Sequence, residues 1–294
     1  MKLETLVDQI KKDFELEKFP EDWNFMIEGD EKLRRNATKQ FIKTNRGLIF
    51  ENSEVANKIF LACFPSTYAI KEIVNEGTKE VLLITHHPFD WDGTGTGFKS
   101  FTDEDYDYMK GNGISLMFMH VPWDRVRNDP DRVSTAYGTA KKLKMEVEGE
   151  FQEYYGAIVS IYGKLPVKDF DRLVRYLEEK LGNKSLNAFK YGSDEIGRVA
   201  LVPGGGNDAT MLEDAHKLGV KTYITGCTNR CKSPYSIEKS EKFLAKAKEL
   251  HMNVIGASHY LTEKWAIEQS VPYFRKFGLP VSFIEDLEQL EHLD

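Results

Sequence analysis

Residues 58–88 read KIFLACFPSTYAIKEIVNEGTKEVLLITHHP, and this stretch decides the fold. KIFLACF at 58–64 is an apolar run of strand length. STYAIKEIVNEG at 66–77 has helical spacing, with Ser66 suited to cap its start and Gly77 to stop it. VLLITHH at 81–87 is a second buried strand. Working outward, an acidic loop and helix near 102–112 lead to a third strand, ISLMFMH at 114–120, and DRVSTAYGTAKKLKM at 131–145 reads as a helix. Strand, helix, strand, helix, strand predicts an α/β layer with a largely parallel sheet.

Upstream, Leu3, Leu6, Ile10 and Phe14 recur at helical spacing over residues 1–19, and EKFPEDW breaks that helix. Residues 22–50 are rich in charge, and NRGLIFE at 45–51 reads as a turn and a short strand. Downstream the pattern restarts near Tyr154. AIVSIYGKLP at 157–166 is a strand, VKDFDRLVRYLEEKLG at 167–182 a strongly amphipathic helix, and RVALVPGGG at 198–206 a strand entering a glycine turn. A helix capped by Asn207 or Asp208 follows, then VKTYITG, a helix at 236–250 and MNVIGASHY. The expected architecture is two α/β domains, 1–150 and 151–294, with a soft boundary at 148–156 and the C-terminal part free to return to the first. IEDLEQLEHLD closes the chain as a strand end and a short acidic helix or tail.

The chain has 294 residues, 41% hydrophobic and 30% charged, with net charge −7. That length buries a sizeable core in one large domain or two of ordinary size. The acidic balance argues against a general nucleic-acid binder, which carries a basic excess. The first residues are charged throughout and lack the apolar core of a secretory signal. No window approaches the ~18 apolar residues of a membrane span. Three cysteines do not make a disulfide framework, so the expected location is the cytoplasm.

Three apolar runs end in metal-ligand chemistry: ITHHPFDWDG at 84–93, MFMHVPWDRV at 117–126 and IGASHYLTEKW at 255–265. Open α/β sheets bind ligands beyond the carboxyl ends of their strands. His86 and His87 are adjacent, so a regular strand points them to opposite faces. They reach two neighbouring ions, or the backbone turns to aim both into one cavity. Pro122 argues against a helical face shared by His120 and Asp124, and Asp124 has Arg125 and Arg127 as alternative partners. Ser258 can cap a helix that sets His259 and Glu263 on one face, a turn apart. Each segment alone has an ordinary structural explanation, but their coincidence predicts a metal site with two ions. Imidazole and carboxylate suit zinc, iron, manganese, nickel or cobalt.

The chain resembles the Nif-three-like family, often called GTP cyclohydrolase I type 2 homologs, over about residues 45–270. The matching residues are THHPFDW, the H-x-x-x-D of HVPWD, GVKTYITG and SHYLTE, in that order. The resemblance implies metal ligands at His86, His87, Asp124, His259 and Glu263, with His120 beside them either supporting a ligand or as a reactive group. It also implies two α/β domains with a metal cleft between them, and a ring-like homohexamer. Two departures stand out. TGCTNRCKSPYS places Cys227 and Cys231 where the family carries an acidic residue and a Lys-Tyr-His-like run, and Phe64 replaces an acidic residue of the early strand.

The expected function is metal-dependent hydrolysis of a small molecule, a nucleotide or another phosphorylated or cyclic compound. Two ions would share Glu263 and activate a water, and His120 would move a proton to the leaving group. A non-catalytic metal- or nucleotide-binding scaffold is the alternative, and a DNA-associated ring is disfavoured by charge. Other motifs say less. PGGGN at 203–207 could present backbone N–H groups to an anion but is no Walker A loop. GTGTG at 93–97 reads as a surface loop or lid. Trp91 and Trp123 wall a pocket or pack. Cys227 and Cys231 lack zinc-knuckle spacing, although Arg230 and Lys232 beside them could lower a thiol pKa. His216 and His251 read as helix-surface residues and His292 as tail. No Gly-x-Ser-x-Gly elbow supports serine-hydrolase chemistry.

Overall fold

The computed structural model describes residues 1–92, 95–183, 186–228 and 231–291. Two sheets organise it. The first runs, edge to edge, Gly47–Phe50, Ile114–Phe118, Val81–Thr85, Ile59–Ala62 and Val281–Phe283. Its last four strands are parallel and only Gly47–Phe50 is antiparallel. Ile59–Ala62, Val81–Thr85 and Ile114–Phe118 are buried at every residue. A sheet covered on both faces needs such uninterrupted apolar runs. Ile59, Leu61, Leu82, Ile84 and Met117 face one core, while Phe60, Ala62, Leu83, Leu116 and Phe118 face the other. The helix after the first of these strands is Thr67–Glu76, with Ser66 as its cap and Gly77 in a left-handed stop, as the sequence predicts.

The second sheet runs Asn187–Phe189, Asn253–Gly256, Val220–Thr225, Arg198–Val202, Ala157–Lys164 and Glu146–Tyr154. Only its three middle strands are parallel. The antiparallel flanks include a strand at Glu146–Tyr154 that the sequence reading does not contain. EVEGEFQEY lies at a sheet edge with mostly exposed or half-buried side chains, so it lacks an apolar run. After the second sheet the chain returns to the first, where Val281–Phe283 pairs with Ile59–Leu61.

Other differences have local causes. The charged stretch 22–50 holds three helices, Asn24–Ile27, Glu31–Asn36 and Lys39–Thr44, each too short to show a period. The expected helix at 131–145 is limited to Thr135–Lys142, because Arg132–Val133 pairs with Asn128–Asp129 in a small hairpin. The helix expected at 236–250 starts earlier, at Pro234, behind the cap of Ser233. Among the described residues no helix is long and apolar enough to cross a membrane.

The two sheets share one core, in which Ile84 and Met117 join Ile161, Leu201, Ile224 and Ile255. Helices Thr135–Lys142 and His259–Gln269 pack together within it. Their crossing is tight at Gly138, where a Cβ would lie 2.8 Å from the backbone nitrogen of Ala266. A larger side chain there must push apart the helix that carries His259 and Glu263. Gly138→Val is therefore expected to cost about 1–3 kcal/mol, the usual penalty of overpacking. An unchanged urea midpoint would show that the crossing has room to spare.

Candidate metal centre

The carboxyl ends of the Val81–Thr85 and Ile114–Phe118 strands and the start of the His259–Gln269 helix meet at one point. The strand of Val81–Thr85 stops before the histidines, and residues 86–89 bend. His86 and His87 therefore do not alternate across the sheet. His87 Nε2 lies 2.9 Å from Glu263 Oε2, and His86 Nε2 lies 3.5 Å from Glu263 Oε1. Thr85 Oγ1 donates to the His87 carbonyl at 2.6 Å and helps to hold the bend. His87 also stacks on Phe64, with ring centroids 4.6 Å apart.

His120 opens a single helical turn, His120–Asp124. This corrects the expectation drawn from Pro122. Proline at the third position of a helix gives up an N–H that has no partner inside the helix anyway. The turn brings His120 Nε2 to 3.5 Å from Asp124 Oδ2, while His86 Nε2 stands 3.4 Å from Asp124 Oδ1. Asp124 also accepts from Thr135 Oγ1 at 2.8 Å. Arg125 and Arg127 pair elsewhere, with Glu15 and Asp129.

Ser258 caps the third segment by accepting from the Leu261 N–H. His259 and Glu263 then share a face, with Nε2 and Oε1 3.3 Å apart. Ser258 has φ +75°, a left-handed value that costs a non-glycine residue strain and is held where the site needs the helix to begin. The glycine turn after Arg198–Val202 closes the opposite side. Gly204 has φ +63°, and a Cβ on it would fall 2.1 Å from Glu263 Oε1 and 3.0 Å from His259 Nε2. The PGGG run thus lets backbone come right up to the cluster.

All the predicted ligand residues, His86, His87, Asp124, His259 and Glu263, come together here with His120. Several separations are too long for good hydrogen bonds. They match instead the roughly 3.4 Å between two donors held at ~2.1 Å from one ion at a tetrahedral angle. His86 illustrates the point. Its Nδ1 faces the Met119 carbonyl at 3.4 Å, leaving Nε2 between two carboxylate oxygens and without a hydrogen bond. A buried nitrogen so placed calls for positive charge, either a proton or a metal ion. Burial opposes charge on His86, but Asp124 and Glu263 outweigh it and lift the imidazole to about 10. Burial dominates at His87 and holds its imidazole well below the ordinary value, with Glu263 opposing only in part. Burial would also raise Glu263, yet His259, His87 and His86 hold its carboxyl well below the usual range. Residues that could bind metal ions are therefore present, grouped as His86–Asp124–Glu263, His86–His87–His120 and Cys63–His87–Glu263.

The cluster opens into a cavity of about 860 Å³. Trp23, Trp91, Phe98 and Tyr154 supply aromatic wall, and Trp91 packs on His259 with centroids 4.6 Å apart. Trp123 is different: it is fully buried, donates to Ser270 and does not line the cavity. Cys227 and Cys231 both do. Asp208 caps the helix after the glycine turn, and His216 and His251 are exposed. Gly93 and Thr94 of the GTGTG loop, Arg230 and His292 lie outside the described residues.

The sequence reading does not contain Glu21. Its Oε2 accepts from His120 Nδ1 and Trp23 Nε1, both at 3.0 Å, and its Oε1 accepts from the Val121 N–H at 3.2 Å. Burial works against a charged His120, but Glu21 and Asp124 prevail and raise its imidazole. No local signal marks Glu21, whose partner His120 is 99 residues away. Glu21→Ala would strip three donors, two of them buried, of their acceptor. It should cost about 1–3 kcal/mol, the penalty of unsatisfied buried groups, in chemical denaturation. Loss of less than a few tenths would mean that water replaces the carboxylate.

Fold and site together define an α/β protein with a buried histidine–carboxylate cluster able to hold metal. The sequence profile of the Duf34/NIF3 (NGG1p interacting factor 3) family matches residues 36–288, and the chain belongs to that family. Among curated relatives, the GTP cyclohydrolase 1 type 2 homolog of Pyrococcus horikoshii is 27% identical over 248 residues, 83% of this chain and 90% of that protein. The homolog of the same name from Escherichia coli K12 is 27% identical over 87% of this chain and 94% of its own length. The fold is shared with solved structures. Protein ybgI, described as of unknown function, has a TM-score of 0.70 at 23% identity, covering 97% of this chain and 98% of that one. Reduced HcgD from Methanocaldococcus jannaschii has a TM-score of 0.62 at 19% identity over the same shares.

Proposed function

We propose that this protein is a hydrolase of a small molecule that works through a pair of divalent transition-metal ions held by His86, His87, Asp124, His259 and Glu263. The observation that carries this reading is the convergence of four imidazoles and two carboxylates at the base of one aromatic-walled cavity. Such ions, when bound, supply Lewis acidity and make water a nucleophile near neutral pH. Zinc, iron, manganese, nickel and cobalt all suit the donors.

The chain's own residues set the rest. Glu21 holds His120 by Nδ1, so Nε2, which faces Asp124 across 3.5 Å, is the nitrogen left to pass a proton toward a leaving group in the cavity. Trp23, Trp91 and Tyr154 offer faces to a planar ring. Lys239, the one lysine or arginine among the described lining residues, would meet an anionic group. A nucleotide, or another phosphorylated or cyclic compound, combines both features. GTP, the compound in the relatives' name, is one member of that class. We place the protein in the cytoplasm, as a homohexamer, a state that light scattering on purified protein would test.

Metal analysis of protein purified without added metal is expected to find about two transition-metal ions per chain, the complement of a dinuclear hydrolase. Glu263→Ala should lose most of them. No metal, with no uptake of zinc, manganese or iron, would overturn the reading. Metal without turnover of any nucleotide or phosphoester would leave a binding scaffold in place of an enzyme. Gly204→Ala should fold yet bind less metal, because its Cβ would occupy the place of the Glu263 carboxylate. Undiminished metal content in that variant would remove the glycine turn from the site.

A further inference from the structure

Cys63 follows the Ile59–Ala62 strand directly and is fully buried. Its Sγ points at the cluster, 3.6 Å from Glu263 Oε2, the same oxygen that His87 Nε2 approaches at 2.9 Å. One ligand atom from each of Cys63, His87 and Glu263 fits within 4.8 Å of the others. A sulfur ~2.3 Å and an oxygen ~2.1 Å from one ion lie roughly 3.6 Å apart across a tetrahedral angle.

We propose that Cys63 is a thiolate ligand to the metal ion shared by His87 and Glu263, so that the centre is a nitrogen–oxygen–sulfur site. The inference rests on the metal reading above and refines it. On binding, the S–H bond breaks heterolytically. Sulfur keeps the electron pair and gives it to the metal, and the proton leaves to water; no redox change is involved. A thiolate favours zinc, iron or cobalt over the harder manganese or magnesium. The other two cysteines sit elsewhere on the cavity wall, so the three thiols can be told apart by substitution.

The test is cobalt(II) spectroscopy on the full-length protein. Metal-free protein is titrated with cobalt as wild type, as Cys63→Ser and as a Cys227→Ser/Cys231→Ser double variant. The expected result is a near-ultraviolet thiolate-to-cobalt charge-transfer band in wild type and the double variant, lost in Cys63→Ser while the visible ligand-field bands remain. A band that persists in Cys63→Ser, or ligand-field bands with no charge-transfer band in wild type, overturns the thiolate and leaves the metal reading intact. Absence of any cobalt spectrum overturns both. Should Cys63→Ser fail to fold, X-ray absorption of the zinc-loaded double variant decides, since Cys63 is then its only thiol. A sulfur shell at ~2.3 Å supports the proposal, and a shell of nitrogen and oxygen alone at ~2.0–2.1 Å overturns it.

Discussion

One carboxylate does most to organise this molecule. Glu263 faces His86 and His259 with one oxygen, and His87 and Cys63 with the other. A buried anion is tolerable only where positive charge or hydrogen bonds surround it. The three imidazoles meet that need without an ion, and a metal would meet it more fully. The parts of the chain that approach Glu263 must therefore arrive accurately, and the fold around it is built for that.

Rigid supports surround the carboxylate. Two parallel strands of the first sheet end just before His86–His87 and His120. Glu263 rides on a helix clamped against Thr135–Lys142 at Gly138. The second sheet contributes the strand Asn253–Gly256, which leads straight into the helix of His259 and Glu263. It also delivers the glycine turn, whose lack of side chains allows backbone and carboxylate to approach, and whose Gly204 N–H donates to Thr262 Oγ1 at 3.0 Å. Both sheets thus bring ligand candidates to the cluster at the carboxyl ends of their strands, and the second also shapes the cavity. Part of the wall comes from Trp23, which, with Glu21, precedes the family match that begins at residue 36.

Much of this was legible from sequence because its signals are local. Unbroken apolar runs mark strands buried on both faces, and the histidines directly follow them. Ser258 signals a helix start, which fixes His259 and Glu263 on one face. The unread features depend on distant partners or on backbone detail. Whether His86 and His87 diverge or converge turns on where a strand stops, to within one residue. Pro122 reads as a helix breaker unless its position in the first turn is known. Cys63 sits in an apolar run and reads as a small hydrophobe. Glu21 lies in a charged loop like any solvated acid, and only the fold brings it to His120.

The order of these pieces along the chain bears on when the site can exist. Glu263 lies 176 residues after His87 and 200 after Cys63, and the strand that ties the returning segment down pairs at Val281–Phe283. A ribosome-bound chain therefore exposes His86 and His87 long before the carboxylate they both face has been synthesised. If the cluster holds a metal, the full ligand set exists only once Glu263 has been made, which would couple metal binding to the return of the chain to the first sheet.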